Sequence, residues 1–196
     1  MRSAPVLAVL RADDPGTLIP IVADLAAVGI VHVELAWSAA PGWGAGCRLL
    51  RGRFPELQLG AASIVASGAL EQVLEAGLTY AVSPILDRGL LQTAVRLGLV
   101  LVPGVMSPSE VHQARCWGAS IVKLFPAQTL GSRYWASLRA PLGGLPFCIA
   151  AGGLGPGDVA PWLAAGVDAV ALGQSLFVGA GLLDPRLAAL FRSAAA

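Results

Sequence analysis

A helix-like stretch that ends in glycine and is followed by a β-branched run occurs five times along the chain, at Gly29, Gly77, Gly98, Gly118 and Gly166. Glycine is the usual residue just past a helix end, because it adopts a positive φ without steric cost. The steps between these glycines are 48, 21, 20 and 48 residues. If each long step holds two units, one period of roughly 20–24 residues covers the chain. The pattern therefore predicts a repeated strand–helix unit.

The repeated unit predicts eight strands with helices between them and a last helix near 185–193. Strands that alternate with helical patterns form parallel βαβ units, and eight such units form a (β/α)8 barrel, or TIM barrel. We therefore expect an α/β protein in which residues 1–196 form one barrel domain. A doubly wound open sheet is the alternative, but residues 10–14 carry no glycine-rich dinucleotide fingerprint. The strands are expected near 5–11, 31–35, 57–62, 79–83, 99–104, 120–125, 147–151 and 167–172.

Composition excludes several classes of protein. The chain is 56% hydrophobic and 13% charged, whereas disordered chains are poor in apolar residues and rich in charge. No apolar run approaches the ~18 residues of a transmembrane helix. A net charge of +1 favours neither a nucleic-acid partner nor a membrane. The three cysteines are widely spaced with no CxxC pair, so we expect no metal site, no disulfide framework and a cytoplasmic protein.

Lys123 is the only lysine among 13 basic residues, and the other 12 are arginine. Arginine stays protonated, whereas a desolvated lysine can lose its proton and act as a nucleophile. Lys123 and Glu34 each interrupt an apolar predicted strand, where an unpaired charge is costly. A general base and a desolvated amine are the groups that Schiff-base chemistry uses. The alternatives are a structural ion pair across the barrel, or side chains that face the helix layer.

Strand alternation places Lys123 on the same face as Ile121 and Phe125. Alternation alone leaves open whether that face points into the barrel or towards the helices. By the same alternation, His32 shares a face with Glu34, and we interpret it as a hydrogen-bonded core histidine rather than a catalytic one.

The ends of the last two predicted strands are rich in glycine, at 151–155 and 173–175. In a barrel the chemistry lies at the carboxyl ends of the strands, and the last two strand ends commonly bind phosphate through backbone N–H groups. Glycine also ends strands for purely steric reasons, so both interpretations stay open here.

Eight short segments, one for each predicted strand, carry a family resemblance: VLAVLR (6–11), VHVEL (31–35), LGAAS (59–63), YAVSP (80–84), LVPGV (101–105), VKLFPA (122–127), AGGL (151–154) and LGQS (172–175). They resemble the class I aldolases that act on 2-keto-3-deoxy-6-phosphogluconate (KDPG), on its galactonate isomer and on 4-hydroxy-2-oxoglutarate (KHG). The lysine segment with its following Phe-Pro is the most specific of them.

The resemblance implies a role for individual residues. Lys123 matches the Schiff-base lysine and Glu34 the acid/base glutamate. It further implies a small 2-keto acid substrate, pyruvate as product, no metal or organic cofactor, and a homotrimer. The predicted substrate-binding residues are Arg11, Ser63 and Pro84 around the keto acid and its other anionic groups, and Gly152, Gly153, Gly173 and Ser175 around a phosphate.

The sequence also departs from the family pattern. Ser38 stands where the phosphogluconate branch has an arginine that holds an anionic group of the substrate, and the phosphogalactonate branch lacks that arginine too. Ala62, Ile85 and Gln174 replace smaller or different residues around the predicted pocket. Cleavage of a 2-keto-3-deoxy-6-phospho sugar acid is the favoured function. The alternatives are a KHG aldolase, an enzyme that acts on phosphorylated ligands without covalency, and a barrel without activity.

Overall fold

The computed structural model describes residues 4–179 and 181–192, and strands and helices alternate along this part of the chain. The strands are short and mostly buried, which is typical of parallel strands covered on both faces. They are Val6–Leu10 (β1), His32–Ala36 (β2), Gln58–Ala62 (β3), Tyr80–Val82 (β4), Val100–Val102 (β5), Gly104–Val105 (β6), Ile121–Leu124 (β7), Phe147–Ala151 (β8) and Ala169–Leu172 (β9).

The strands pair in parallel in one sheet with the order β5-β4-β3-β2-β1-β9-β8-β7-β6. β5 and β6 together replace the single strand predicted at 99–104, and Pro103 separates them because proline has no N–H to donate. The Pro103 carbonyl still accepts a hydrogen bond from the Lys123 N–H at 2.8 Å. The first strand of this order, β5, and the last, β6, are therefore the two halves of one interrupted strand. The sheet curls round so that they meet, which gives a nearly closed barrel. The predicted (β/α)8 architecture is confirmed.

Helices follow the strands and cover the outside of the barrel. The five glycines of the repeated junction all have positive φ, between 68° and 101°, so the predicted helix ends are confirmed. In the described ranges, no helix is both long and apolar enough to cross a membrane. The α-helices are Ile19–Ala27 (α1), Trp43–Arg53 (α2), Ser67–Glu75 (α3), Arg88–Leu97 (α4), Pro108–Cys116 (α5), Ala127–Leu130 (α6), Arg133–Ser137 (α7), Arg139–Leu142 (α8), Val159–Ala164 (α9) and Arg186–Arg192 (α10).

Two apolar clusters separate the inside of the barrel from the layer beneath the helices. Val33 and Leu35 belong to the outer cluster, so alternation points His32 and Glu34 of β2 into the barrel. Lys123 also points inwards, because its neighbours on the same face pack against the inner cluster. That cluster contains Leu7, Tyr80, Val82, Val102, Ile149, Ala151, Ala169 and Ala171, with Val9, Ile121, Phe125 and Phe147 packed against it.

Candidate active site

Lys123 lies inside the barrel on β7, and its side chain is 8% exposed. The Nζ atom lies 4.8 Å from the centroid of the Phe125 ring. Burial lowers the pKa of Lys123, the negative charge of Glu34 opposes that shift, and the positive charge of Arg11 adds to it. A lower pKa increases the fraction of unprotonated amine at neutral pH, and that is the form that attacks a carbonyl carbon.

Glu34 is buried inside the barrel on β2, with 1% of its surface exposed. Neither carboxylate oxygen has a hydrogen-bond partner among the described residues. Burial raises the pKa of Glu34 to about 7, and the positive charge of Lys123 opposes that rise. A carboxyl group with a pKa near 7 can both accept and donate a proton at neutral pH. Glu34 and Lys123 therefore both face the barrel interior, and the charge of each shifts the pKa of the other.

Arg11 follows β1 and donates a hydrogen bond from a guanidinium nitrogen to the Ser63 hydroxyl, over 3.2 Å. Ser63, which follows β3, has a φ of 64° and is the one non-glycine residue with positive φ between residues 4 and 192, Ala180 excepted. A left-handed backbone at a side-chain-bearing residue costs energy, and it is often found at functional sites. Because β2 lies between β1 and β3, the Arg11–Ser63 bond spans the carboxyl end of the strand that carries Glu34.

A cavity of about 850 Å³ opens at the carboxyl ends of β1, β7, β8 and β9. It brings together six of the nine predicted site residues. The other three predicted residues do not line it. Glu34 is buried within the barrel, and Ser63 is hydrogen-bonded to Arg11, which is a wall residue. The backbone of Pro84 packs against Gly104. The six residues in the walls are Arg11, Lys123, Gly152, Gly153, Gly173 and Ser175, and Gln174 lies beside them.

Backbone conformation and close packing explain why residues 152 and 153, at the cavity wall, are both glycine. Gly152 and Gly153 have φ values of 99° and 81°, which side-chain-bearing residues rarely adopt. A Cβ on Gly152 would lie 2.9 Å from the Phe125 ring, and one on Gly153 would collide with the side chain of Gln128. Packing therefore requires glycine at both positions, and the same absence of side chains leaves the backbone accessible from the cavity.

Ser175 connects the two glycine-rich strand ends, because its hydroxyl donates a hydrogen bond to the Leu154 carbonyl. The hydroxyl proton is therefore already used within the chain. An anion in this part of the cavity would depend on backbone N–H groups, with Ser175 holding the loops after β8 and β9 together. Within the described residues, no three His, Cys, Asp or Glu side chains are grouped as ligands for one metal ion.

The family described as "Aldolase: KDPG and KHG aldolase" matches residues 1–192 of the chain. The chain belongs to this aldolase family. The cavity lies at the carboxyl ends of the strands, where barrel enzymes carry their active sites.

Individual members of the aldolase family are similar over most of their length. The chain is 28% identical over 173 residues to the probable 2-dehydro-3-deoxy-6-phosphogalactonate aldolase of Rhizobium meliloti (strain 1021), covering 88% of this chain and 82% of the relative. It is 33% identical over 166 residues to the 2-dehydro-3-deoxy-phosphogluconate aldolase of Pseudomonas aeruginosa, covering 83% and 74%. Among solved structures, the KDPG aldolase of Legionella pneumophila, with pyruvate captured as a covalent carbinolamine, has a TM-score of 0.80 at 25% identity, covering 91% and 86%.

Sequence reasoning missed one polar group in the interior of this aldolase barrel. The Tyr80 hydroxyl is buried with no hydrogen-bond partner among the described residues, and so is Nδ1 of His32. His32 is a buried histidine as predicted, but the hydrogen bond expected for it is absent at Nδ1. Tyr80 and Val82 lie on the same face of a predicted strand. The sequence does not say that this face points into the barrel, and so it gave no signal for the Tyr80 hydroxyl.

Proposed function

We propose that the protein is a class I aldolase that cleaves a 2-keto-3-deoxy-6-phospho sugar acid to pyruvate and glyceraldehyde 3-phosphate. One observation carries the proposal: the only lysine of the chain is buried at the wall of the cavity and is electrostatically coupled to a buried carboxyl group whose pKa is about 7. Membership of an aldolase family supports it.

The proposed reaction begins with attack of the unprotonated Lys123 amine on the C2 ketone of the substrate. The carbinolamine that forms loses water and becomes an iminium ion, which can accept an electron pair from a neighbouring carbon–carbon bond. Glu34 supplies the proton that the departing hydroxyl group needs, directly or through a water molecule. Burial of both groups supports this step, because it favours the neutral amine and the protonated carboxyl group.

Glu34, now ionised, removes the proton of the C4 hydroxyl group. The C3–C4 bond breaks, the aldehyde leaves, and the bonding electron pair passes into the iminium to give an enamine on Lys123. Protonation of the enamine at C3 and hydrolysis of the resulting iminium release pyruvate and restore the free amine. The lysine thus supplies the electrophilic activation, and the proposal needs no metal ion or organic cofactor.

The remaining predicted residues would hold the two anionic ends of the substrate. Arg11 and Ser63 are hydrogen-bonded to each other beside the catalytic pair, which supports a role for them at the keto acid. Gly152, Gly153 and Gly173 line the other part of the cavity, and backbone N–H groups there would bind the phosphate. Pro84, which lies outside the cavity walls, remains a predicted member of the substrate site.

Covalent trapping tests the proposal. Incubation with pyruvate and borohydride, in buffer that contains EDTA, should attach one reduced pyruvyl group to Lys123, detected by intact mass and peptide mapping. Lys123→Arg should remove the adduct and the turnover but not the fold, because arginine keeps the charge and cannot form the imine. A folded wild-type protein without adduct at saturating pyruvate would overturn the proposal. Pyruvate release from a panel of 2-keto-3-deoxy acids and KHG then identifies the substrate.

The protein is further proposed to act as a homotrimer. Val65, Ile85 and Met106 are exposed apolar side chains in segments that follow the neighbouring strands β3, β4 and β6. Single exposed apolar residues are common, but a group of them on adjacent loops is typical of a contact surface between proteins. A second copy of the chain is the proposed partner for this surface.

A further inference from the structure

The inside of the barrel holds three buried polar side chains with unused hydrogen-bonding capacity. Tyr80 Oη, both Glu34 carboxylate oxygens and His32 Nδ1 have no hydrogen-bond partner among the described residues. Buried polar groups are nearly always hydrogen-bonded in folded proteins, because an unsatisfied group loses its interactions with water without compensation. A phenol donor and a carboxylate acceptor that lie unsatisfied in the same interior are complementary.

The contacts of Tyr80 place its ring over the strand position opposite Glu34. Gly60 of β3 lies directly opposite Glu34 of β2 in the strand register. The Tyr80 ring covers Gly60, and a Cβ at Gly60 would collide with Cζ, the ring atom that carries the hydroxyl. The pKa of Tyr80 is raised well above its usual value, first by burial and then by the negative charge of Glu34. Tyr80 therefore keeps its proton throughout the working pH range and is always a donor.

We propose that Tyr80 is a positioning residue for Glu34: its hydroxyl donates a hydrogen bond to the ionised Glu34 carboxylate across one water molecule. The inference rests on the proposed function, in which Glu34 must be ionised to remove the C4 hydroxyl proton. In this proposal Tyr80 acts through Glu34 and not on the substrate. The hydrogen bond orients the carboxylate and favours its charged form, which opposes the effect of burial.

The ionisable groups around Glu34 determine the sign of the expected effect. Lys123 on β7 favours the Glu34 carboxylate through its charge, and Arg11 after β1 adds positive charge on the same side of the barrel. His32, two residues away on β2, has a pKa lowered by burial, which favours its neutral form. Removing the Tyr80 hydroxyl takes away a donor to the charged form and leaves the other groups in place, so the pKa of Glu34 should rise.

The test compares Tyr80→Phe with Tyr134→Phe, which removes the only other tyrosine hydroxyl of the chain. That hydroxyl donates to the Met106 carbonyl, outside the barrel interior. The acid limb of kcat against pH reports Glu34 in the iminium complex, where it must be ionised, and this limb should move up by about one pH unit in Tyr80→Phe, a roughly tenfold loss below its midpoint. The alkaline plateau should stay close to the wild-type value. Tyr134→Phe should leave the midpoint unchanged.

A lower plateau with an unchanged midpoint would mean that Tyr80 only packs the barrel, and it would overturn the inference. The pH dependence of the unfolding free energy gives a second measurement without catalysis, because it also reports the pKa of Glu34. The pH at which that dependence levels off should rise in Tyr80→Phe by the same amount as the kinetic midpoint. If wild-type protein forms no pyruvate adduct, the proposed function fails; if it forms one and neither midpoint moves, only the role of Tyr80 fails.

Discussion

The ionised form of Glu34 destabilises the fold, because its carboxylate is buried without a hydrogen-bond partner among the described residues. Its pKa is about 7 in the folded chain against an ordinary value of 4.5. Between these values the folded chain keeps a proton that the unfolded chain has lost. Stability from this group is therefore complete below pH 4.5 and is lost as the pH rises through 7. The loss amounts to about 3 kcal/mol of unfolding free energy.

We predict that Glu34→Gln removes this pH dependence. Urea unfolding at pH 5 and pH 8 should show a decrease for the wild type that is about 2.5 kcal/mol larger than the decrease for the variant. The comparison between the two proteins cancels the other groups that titrate in this range, such as His32, whose lowered pKa acts in the opposite direction. Equal pH dependences would show that the carboxyl group of Glu34 has an ordinary pKa.

At the scale of elements, the contact between β3 and β4 depends on a glycine. The Tyr80 ring occupies the space where a side chain at Gly60 would lie. Gly60→Ala must therefore displace a rigid ring inside a closely packed barrel, which should lower the unfolding free energy by about 1–3 kcal/mol. Gly68→Ala is the matched control, because a Cβ there meets nothing within 4 Å and alanine favours the helix α3. Similar stabilities of the two variants would contradict the close packing of Tyr80 on β3.

The loops after β8 and β9 are held together by a hydrogen bond that the Ser175 hydroxyl donates to the Leu154 carbonyl. Ser175→Ala should loosen the part of the cavity proposed to bind phosphate and lower kcat/KM for phosphorylated substrates roughly tenfold, the effect of about 1.4 kcal/mol. Cleavage of KHG, which has no phosphate, should change much less. Ser137→Ala removes a hydroxyl bonded to a carbonyl of its own helix and serves as control. Equal losses on both substrates would place Ser175 outside the phosphate site.

Much of the element pattern was predictable, because five helices (α1, α3, α4, α5 and α9) are followed by a glycine with positive φ and the strands are mostly apolar, and both properties are local. The break between β5 and β6 follows from Pro103, whose missing N–H is visible in the sequence. The inward direction of Lys123 was not predictable, because strand alternation defines two faces without saying which one the helices cover. The pairing of Tyr80 with Glu34 depends on the register of three strands, which no local pattern contains.

On the scale of the whole molecule, the site combines residues that are far apart in the chain. Arg11 and Ser63 are 52 positions apart and share a hydrogen bond, and Glu34 and Lys123 couple across the barrel from β2 and β7. Sequence could name these residues because each lies at or near a strand end, and parallel strands bring their ends to one edge. It could not predict that the Ser175 hydroxyl proton is used within the chain, since that bond depends on how two loops close against each other.

We predict that the protein is a trimer in solution. Light scattering after size-exclusion chromatography should give a molar mass roughly three times that of the 19.9 kDa chain, as a closed ring of three copies requires. Ile85→Arg should lower that mass towards one chain, because a charge buried in an apolar contact without a partner is costly. Val95→Arg alters an apolar side chain of α4 that is 78% exposed and should leave the mass unchanged. A trimer that survives Ile85→Arg would show that its contacts lie elsewhere on the barrel, and a monomeric wild type would remove the proposed assembly altogether.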